Sequence, residues 1–318
     1  MSAPFLEFEK QIIELEQKLE ELRALGQSEG TDFSSEIRKM HKKLNQLRKE
    51  TFSKLNRWQK TLLARHPARP YAYDFINEMS EDFMEQHGDR LFGDGPSIVC
   101  GFASVDEKSV MFIGQQKGRD TKEKMHRNFG MAHPEGYRKA LRMMKLAEKF
   151  KTPIITLLDT PGAYPGIGAE ERGQSEAIAH NLLEMSSLRV SIICVITGEG
   201  GSGGAIALGV GNRVLMLEHS VYSVISPEGC AAILWKDQSK TAEAAEALAL
   251  TADDLMKQGL VDEVVREPIG GAHRNHKLTA HILRRVIRRH LTELSKLSPE
   301  EVVAHRREKF RRMGPFAE

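Results

Sequence analysis

The sequence predicts an α/β fold, with an α-helical hairpin before the main domain and a helix after it. Apolar runs at 153–158 and 190–196 have the length and composition of buried strands, and a helical pattern around Ile178 separates them. Amphipathic helical repeats precede this region, before residue 65, and a basic helix follows it, after residue 277. Strands that alternate with helices are typical of a layered domain with parallel strands.

The N-terminal segment carries two amphipathic patterns. Apolar residues recur at steps of three and four from Ile12 to Leu22 and again from Ile37 to Leu47, and Leu55 continues the second pattern in a shifted register. Two helices packed antiparallel would bury both stripes. The proline-rich run RHPARP at 65–70 then ends the pattern. We expect residues 1–66 to form a helical hairpin that serves assembly, residues 67–296 to form the main domain and residues 297–318 to form a polar tail.

The main domain opens with two strand-like runs, at 97–105 and 109–116, which three polar residues at 106–108 join as a hairpin. A basic loop at 117–130 leads to a helix whose apolar face begins at Tyr137. Residues 251–265 predict a helix, a turn and a short last strand, and a basic helix follows at about 277–294.

Composition excludes several classes of protein. Of the 318 residues, 40% are hydrophobic and 28% are charged, which is typical of a globular protein. The formal net charge is +2, too small to indicate a nucleic-acid or membrane partner for the whole chain. Cys100, Cys194 and Cys230 are far apart, which predicts reduced thiols rather than a disulfide framework or a zinc site. The sequence also lacks a signal-like or membrane-spanning apolar stretch, so we expect a cytoplasmic protein.

Two strands end in glycine-rich loops, DTPGAYPGIG at 159–168 and TGEGGSGGA at 197–205, and a predicted helix follows each loop. Glycines let a ligand approach the main chain, and the start of a helix offers unpaired N–H groups to negative charge. This pattern indicates binding of an anion or an oxyanion.

The second loop also contains a literal G-x-G-x-x-G at 198–203, with Glu218 about twenty residues further on, which is the dinucleotide-binding pattern. However, the segment before the next strand near Arg213 holds about two helical turns, which is short for a βαβ crossover. A P-loop is disfavoured because no Lys-Ser or Lys-Thr closes either loop. A tight glycine turn without a ligand is a further alternative.

Several motifs carry a family resemblance. The chain is similar to the alpha subunits of acetyl-CoA carboxylase carboxyltransferase over most of its length, including the N-terminal hairpin. The motifs concerned are KGR at 117–119, NFG at 128–130, PEGYRKA at 134–140, PIIT at 153–156, DTPGAYPG at 159–166, AEERGQSEAI at 169–178, GEGGSGGA at 198–205, YSVISPEGC at 222–230 and GGAHR at 270–274.

The resemblance implies a crotonase-like (ClpP/crotonase) spiral of ββα units and a partner beta subunit in an α2β2 assembly. It also implies transfer of a carboxyl group to acetyl-CoA, which gives malonyl-CoA for fatty-acid biosynthesis. The donor would be carboxybiotin, borne by the biotin carboxyl carrier protein and formed by biotin carboxylase. No cofactor is then expected on this chain, and zinc is expected only on the beta subunit.

The same resemblance assigns the site residues. Gly203 and Gly204 would donate main-chain N–H groups toward biotin as the catalytic donors. Gly162, Tyr164 and Gly201 would line the cleft as substrate-binding residues. Lys117 and Arg119 lie in a basic loop after a strand, which suits contacts with the phosphates of CoA or with an acidic face of a partner, and a solvated charged loop is the equal alternative.

Other charged residues predict no separate function. His126, His133 and His273 lack the spacing of a metal site. The paired arginines at 284–285, 288–289 and 306–307 could suggest RNA binding, but a solvated or subunit-facing helix explains them better. An inert scaffold subunit is the alternative to an enzyme subunit.

Overall fold

The computed structural model describes residues 5–29 and 32–314. The strands are β1 (Glu81–Glu85), β2 (Ile98–Val105), β3 (Lys108–Gln115), β4 (Ile154–Thr160), β5 (Ile192–Gly201), β6 (Arg213–Leu217), β7 (Val221–Ser223) and β8 (Glu263–Val265). The α-helices are α1 (Lys10–Glu29), α2 (Ser34–Ser53), α3 (Arg57–Ala64), α4 (Ala72–Met79), α5 (Thr121–His126), α6 (Pro134–Lys149), α7 (Ile167–Glu171), α8 (Gln174–Met185), α9 (Ser202–Ile206), α10 (Pro227–Leu234), α11 (Thr241–Leu248), α12 (Ala252–Lys257), α13 (His276–Leu294) and α14 (Pro299–Arg311).

One mixed sheet organises the main domain, with the strand order β1-β2-β3-β4-β5-β6-β8 and with β7 paired to the end of β5. The predicted hairpin is confirmed, because β2 and β3 pair antiparallel from Ile98 opposite Gln115 to Val105 opposite Lys108. Its two turn residues, Asp106 and Glu107, have φ of 49° and 65°, as a tight hairpin with a right-handed twist requires. From β3 to β6 neighbouring strands run parallel, as the alternation of strands and helices predicted.

Both faces of the sheet are buried. In β5, Ile192, Cys194 and Ile196 face a core shared with α6 and α8, whereas Ile193 and Val195 face a core shared with α4 and α13. This arrangement explains why β5 reads as an uninterrupted apolar run, since a strand covered on both sides has no solvent face. Each such side chain contributes about 1.5–3 kcal/mol by burial.

The N-terminal hairpin is confirmed as two antiparallel helices. Arg48 of α2 pairs with Glu16 of α1, and His41 contacts Arg23 near the other end of the pair. The hairpin core includes Ile12, Leu19, Leu44 and Phe52.

The second amphipathic pattern does not continue as one helix. α2 ends at Ser53, and the Asn56 side chain caps a new helix, α3, by accepting a hydrogen bond from the Gln59 N–H. Arg57 at the start of α3 forms ion pairs with Glu246 and Asp254 of the main domain. The shifted register therefore marks a helix that packs on the main domain, before the boundary expected at residue 66.

The C-terminal segment corrects a second expectation. Helix α13 is confirmed, but residues 299–311 of the expected polar tail form helix α14. Ser298 caps this helix and Glu301 completes the capping box. Arg306 is fully buried between the helix and the main domain, so a charged residue there is an anchor rather than a solvated group. Among the helices of the described residues, none combines the length and the apolar character needed to span a bilayer.

Candidate active site at two facing glycine loops

The two glycine-rich loops meet at the carboxyl ends of β4 and β5. The strands run parallel, and Thr160 lies opposite Gly200. A Cβ on Gly201 would collide with the carbonyl oxygen of Pro161, and a Cβ on Gly204 would lie 2.5 Å from the carbonyl carbon of Gly162. Main chain therefore packs directly on main chain, which side chains at these positions would prevent.

Gly162, Gly201, Gly203 and Gly204 lie together where the two loops meet, but the glycines are not equivalent. A Cβ on Gly203 would meet its nearest neighbour, Ile178, at an ordinary distance of 3.5 Å. Gly204 has no such room. Close packing thus requires glycine at 204, whereas packing alone does not require it at 203.

Helix α9 begins in an unusual conformation. Its first residue, Ser202, has φ of 49°, a left-handed conformation that costs a non-glycine residue about 1 kcal/mol or more. The Ala207 N–H donates to the carbonyl of Gly203, so the chain turns helically at once. The first N–H groups of a helix have no partner within it, and those of Gly203 and Gly204 belong to this set. The turn can therefore offer main-chain donors to an oxyanion.

The first loop is held by Thr160. Its hydroxyl oxygen lies 2.7 and 2.8 Å from the carbonyls of Gly130 and Gly162, either of which can accept its single proton, and it accepts from the Gly162 N–H. Tyr164 follows, with its N–H bonded to the Ala132 carbonyl. The Tyr164 ring lies 4.4 Å from the ring of His133, so Tyr164 is packed along the loop while still half-buried.

Lys117 lies at the site, but its charge already has a partner. Its Nζ is 2.6 Å from Oδ1 of Asp159, which also accepts the Glu199 N–H at 2.9 Å. Burial by itself lowers the pKa of Lys117, but the carboxylates of Asp159 and Glu199 outweigh it and hold the pKa above its ordinary value. Lys117 thus neutralises Asp159, and the carboxylate of Asp159 links the two loops.

Arg119 points to the linker instead. Its guanidinium donates to the carbonyls of Pro67 and Arg69, at 2.7 and 2.9 Å, and pairs with Asp74. It also lies 4.0 Å above the ring of Tyr71. Both cations expected to contact CoA phosphates are therefore engaged within the chain.

Sequence reasoning missed two residues of this network. Gln115 is buried at the end of β3 and bonds to both loops. Arg65, in the proline-rich linker, donates to Glu199 at 2.7 Å and to Glu228 at 2.6 Å, and the two carboxylates raise the pKa of Arg65 against the opposing effect of burial. Neither residue lies in a glycine motif, so no local signal marked them.

A second cluster of possible metal ligands lies away from this site. Ligand atoms of Glu9, His66 and His273 all lie within 4.8 Å of one another. However, Arg274 donates to the same oxygen of Glu9 that lies 3.0 Å from Nε2 of His273. A guanidinium already neutralises this carboxylate, so the donor set fits an ion-pair anchor better than a metal site.

Comparison with known proteins identifies the family. Residues 5–314 match the family model described as acetyl co-enzyme A carboxylase carboxyltransferase-like. The chain belongs to this family. It is 59% identical over 313 residues to the acetyl-coenzyme A carboxylase carboxyl transferase subunit alpha of Geobacter metallireducens, covering 98% of both chains. It is 57% identical over 318 residues to the subunit of the same name from Bordetella avium, covering 100% of this chain and 99% of that one.

Solved structures of lower identity show the fold. A Pseudomonas malonate decarboxylase hetero-tetramer in complex with coenzyme A matches with a TM-score of 0.59 at 14% identity, over 74% of this chain and 91% of that chain. The transcarboxylase 12S structure matches with a TM-score of 0.54 at 21% identity, over 68% and 41%. The crotonase-like fold is confirmed. The dinucleotide-binding alternative for residues 198–203 is wrong, because the helix after β5 has five residues and the fold is of another class.

Proposed function

We propose that this acetyl-CoA carboxylase carboxyltransferase subunit transfers the carboxyl group of carboxybiotin to acetyl-CoA and so forms malonyl-CoA in the cytoplasm. The carboxybiotin would be borne by the biotin carboxyl carrier protein and formed by biotin carboxylase. Catalysis would require a beta subunit in an α2β2 assembly, and any zinc would reside on that subunit. The direct contact between the Gly162 and Gly204 main chains is the observation that carries the proposal.

The reaction develops negative charge at two oxygens. The ureido oxygen of biotin becomes anionic when carboxybiotin releases its carboxyl group, and the thioester oxygen becomes anionic when acetyl-CoA loses a methyl proton to biotin. Main-chain N–H groups held in a water-poor cleft stabilise such charge. The N–H groups of Gly203 and Gly204 would serve the biotin oxygen, and the beta subunit would serve the thioester.

The remaining predicted residues take supporting roles in this proposal. Gly162, Gly201 and Tyr164 would line the cleft. For Lys117 and Arg119 we propose a positioning role rather than direct contact with CoA phosphates, because Asp159 and Asp74 already pair with them. Free phosphate-binding groups would then come from elsewhere in the assembly.

The experiment combines the chain with its beta subunit and follows malonyl-CoA formation from acetyl-CoA and carboxylated carrier protein. We expect activity only when both subunits are present. A scaffold without a catalytic role predicts instead that the mixed subunits form no malonyl-CoA. Substantial turnover by this chain alone would contradict the proposal.

Gly204→Ala tests the oxyanion role within that complex. The added methyl group would press on the Gly162 main chain and displace the amide, so we expect kcat to fall by about 10²–10³, as for loss of one oxyanion donor. Gly93→Ala is the control. Gly93 lies outside the site, and its Cβ would lie 3.8 Å from the nearest atom, Cγ of Glu135. A folded, assembled Gly204→Ala complex within about threefold of the parent would refute the assignment.

A further inference from the structure

Gln115 joins the two glycine loops through both ends of its side-chain amide. It is the last residue of β3 and is 1% exposed. Its Oε1 accepts the N–H of Asp159 at 3.0 Å, and its Nε2 donates to the carbonyl of Gly204 at 2.6 Å. One side chain thus connects the end of β4 with helix α9.

The carbonyl of Gly204 depends on this bond because α9 is so short. In a longer helix the Leu208 N–H would donate to Gly204, but here it donates to the carbonyl of Ala205. Gln115 supplies the donor in its place. A buried carbonyl without a donor is costly, so the bond constrains the direction of this peptide group.

The direction of that carbonyl bears on catalysis because Gly204 has no side chain to restrain its torsions. The peptide unit of this carbonyl shares the Gly204 Cα with the unit that carries the Gly204 N–H, so losing the bond frees that Cα and lets the donor unit shift as well. Asp159, at the other end of the Gln115 bridge, is itself fixed by Lys117 and by the Glu199 N–H. The Gln115 bridge therefore fixes the position of the α9 amides relative to Asp159, at the end of β4.

We propose that Gln115 is a positioning residue for carboxyl transfer, which holds the main-chain donors of Gly203 and Gly204 in the direction of the oxyanion. This inference rests on the function proposed above and adds to it a residue that contacts no substrate. A loss of the donor to Gly204 should lower kcat and leave the KM for acetyl-CoA within about twofold, since substrate binding is not its role.

Gln115→Glu provides a test that a merely structural role would not satisfy. An ionised carboxylate accepts the Asp159 N–H but cannot donate to Gly204, whereas a protonated carboxyl group does both, as the amide does. Burial raises the pKa of such a carboxyl group, and the charged groups of the same network are Lys117, Asp159 and Glu199. The variant should therefore regain its donor as the pH falls.

The measurement is kcat of the assembled complex between pH 6 and pH 9, expressed as the ratio of variant to parent at each pH. We expect Gln115→Glu to be about ten- to a hundredfold slower at the alkaline end, as for a displaced catalytic group, and to recover toward acid pH. Asn212→Asp is the matched control. Asn212 is a fully buried amide that accepts the Ile192 N–H at 3.1 Å and donates to the Val302 carbonyl at 2.8 Å, at the opposite end of β5. Its ratio to the parent should not vary with pH.

A Gln115→Glu ratio that is flat with pH, or within about threefold of the parent at alkaline pH, would overturn the inference. If this variant does not assemble, Gln115→Met gives the decisive kcat, because it keeps the length of the side chain and removes both bonds. An impaired Gly204→Ala beside a normal Gln115 variant overturns this inference alone. A normal Gly204→Ala refutes the oxyanion assignment and, with it, the role of Gln115.

Discussion

Arg69 and Glu267 form an ion pair in the interior of the molecule, with side chains 1% and 0% exposed. The guanidinium binds both carboxylate oxygens, at 2.7 and 3.0 Å, and also donates to the carbonyl of Thr197 at 2.8 Å. Glu267 accepts two further main-chain N–H groups, from His219 and Ala272. The pair therefore ties the proline-rich linker to β5 at Thr197, the first residue of the second glycine loop.

Replacing Glu267 with Gln should destabilise the protein by about 3–5 kcal/mol, because it leaves the buried Arg69 without a counter-charge. The free energy of unfolding in urea measures this. Glu300→Gln is the control, since its pair with Arg189 is exposed on both sides and should contribute little. A loss no larger than the control's would contradict the assignment of Glu267 as an anchor.

The same pair predicts a pH dependence. Burial alone would raise the pKa of Glu267, but Arg69 and the hydrogen bonds to the carboxylate outweigh it and lower the pKa to about 2. A lowered carboxyl pKa contributes stability that is complete above the unfolded value, near 4.5, and that is lost as the pH falls through the folded value. Between about pH 5 and pH 2, the parent should therefore lose more stability than Glu267→Gln does.

Arg306 is a second buried anchor, in the segment that the sequence suggested was a polar tail. Its guanidinium donates to the carbonyls of Met185, Leu188 and Val190, at 2.6, 2.9 and 2.6 Å, and to the side-chain oxygen of Asn212. Burial lowers its pKa to about 10, so it stays charged near neutral pH. Oriented carbonyls thus stabilise the charge in place of water.

Arg306→Met should destabilise the protein by at least about 3 kcal/mol, because three buried carbonyls lose a charged donor at once. Arg307→Ala is the matched control. The guanidinium of Arg307, next in sequence to Arg306, is exposed and makes one long bond to the Ser186 carbonyl. The free energy of unfolding of both variants in urea is compared with that of the parent. Equal stability of the two would show that α14 does not anchor the main domain.

The elements that the sequence predicted are those with local signals. Strand-like and apolar runs located β2, β3 and β5, a period of three to four located the hairpin, and glycine-rich loops after buried strands located the site. Helix α14 was missed because its buried residues are Val302 and an arginine, Arg306, which a hydrophobic pattern counts as exposed, although Ser298 and Glu301 carry a capping signal.

The supporting residues of the site could not be predicted in the same way. Gln115 reaches Gly204 across 89 residues, and Arg65 reaches Glu199 across 134. Such pairs arise from the order of strands in the sheet, which a single sequence does not specify. The motif residues Lys117 and Arg119 were predicted to lie near the site from their loop, but their partners Asp159 and Asp74 were visible only in three dimensions.

We propose that the N-terminal hairpin serves subunit assembly while docked on its own main domain. Glu9, which is buried, accepts hydrogen bonds from Arg274 and lies 3.0 Å from Nε2 of His273, and these groups lower its pKa to about 2 against the effect of burial. Deleting residues 1–53 should weaken association with the beta subunit or reduce solubility. Light scattering of the mixed subunits measures this, and Lys18→Ala, which changes an exposed residue of α1 and retains the docked hairpin, is the control. Unchanged assembly with full activity would refute the role.

The last prediction concerns the loop cations. If Arg119 contacted a CoA phosphate, Arg119→Ala would raise the KM for acetyl-CoA and leave stability unchanged. The structure favours the opposite outcome, because the guanidinium holds the carbonyls of Pro67 and Arg69 and stacks on Tyr71. We expect the melting temperature to fall by several degrees, equivalent to about 1–2 kcal/mol, with the KM within about twofold.

Lys122→Ala is the control for that experiment, because Lys122 is an exposed cation of the same loop. Any general effect of loop charge on the KM for acetyl-CoA should appear equally in both variants, and this effect should weaken with added salt. A tenfold or larger rise in KM for Arg119→Ala alone, at an unchanged melting temperature, would restore direct phosphate contact. A fall in stability without a change in KM assigns Arg119 to the linker, and the phosphates of CoA must then be bound by other cations of the assembly.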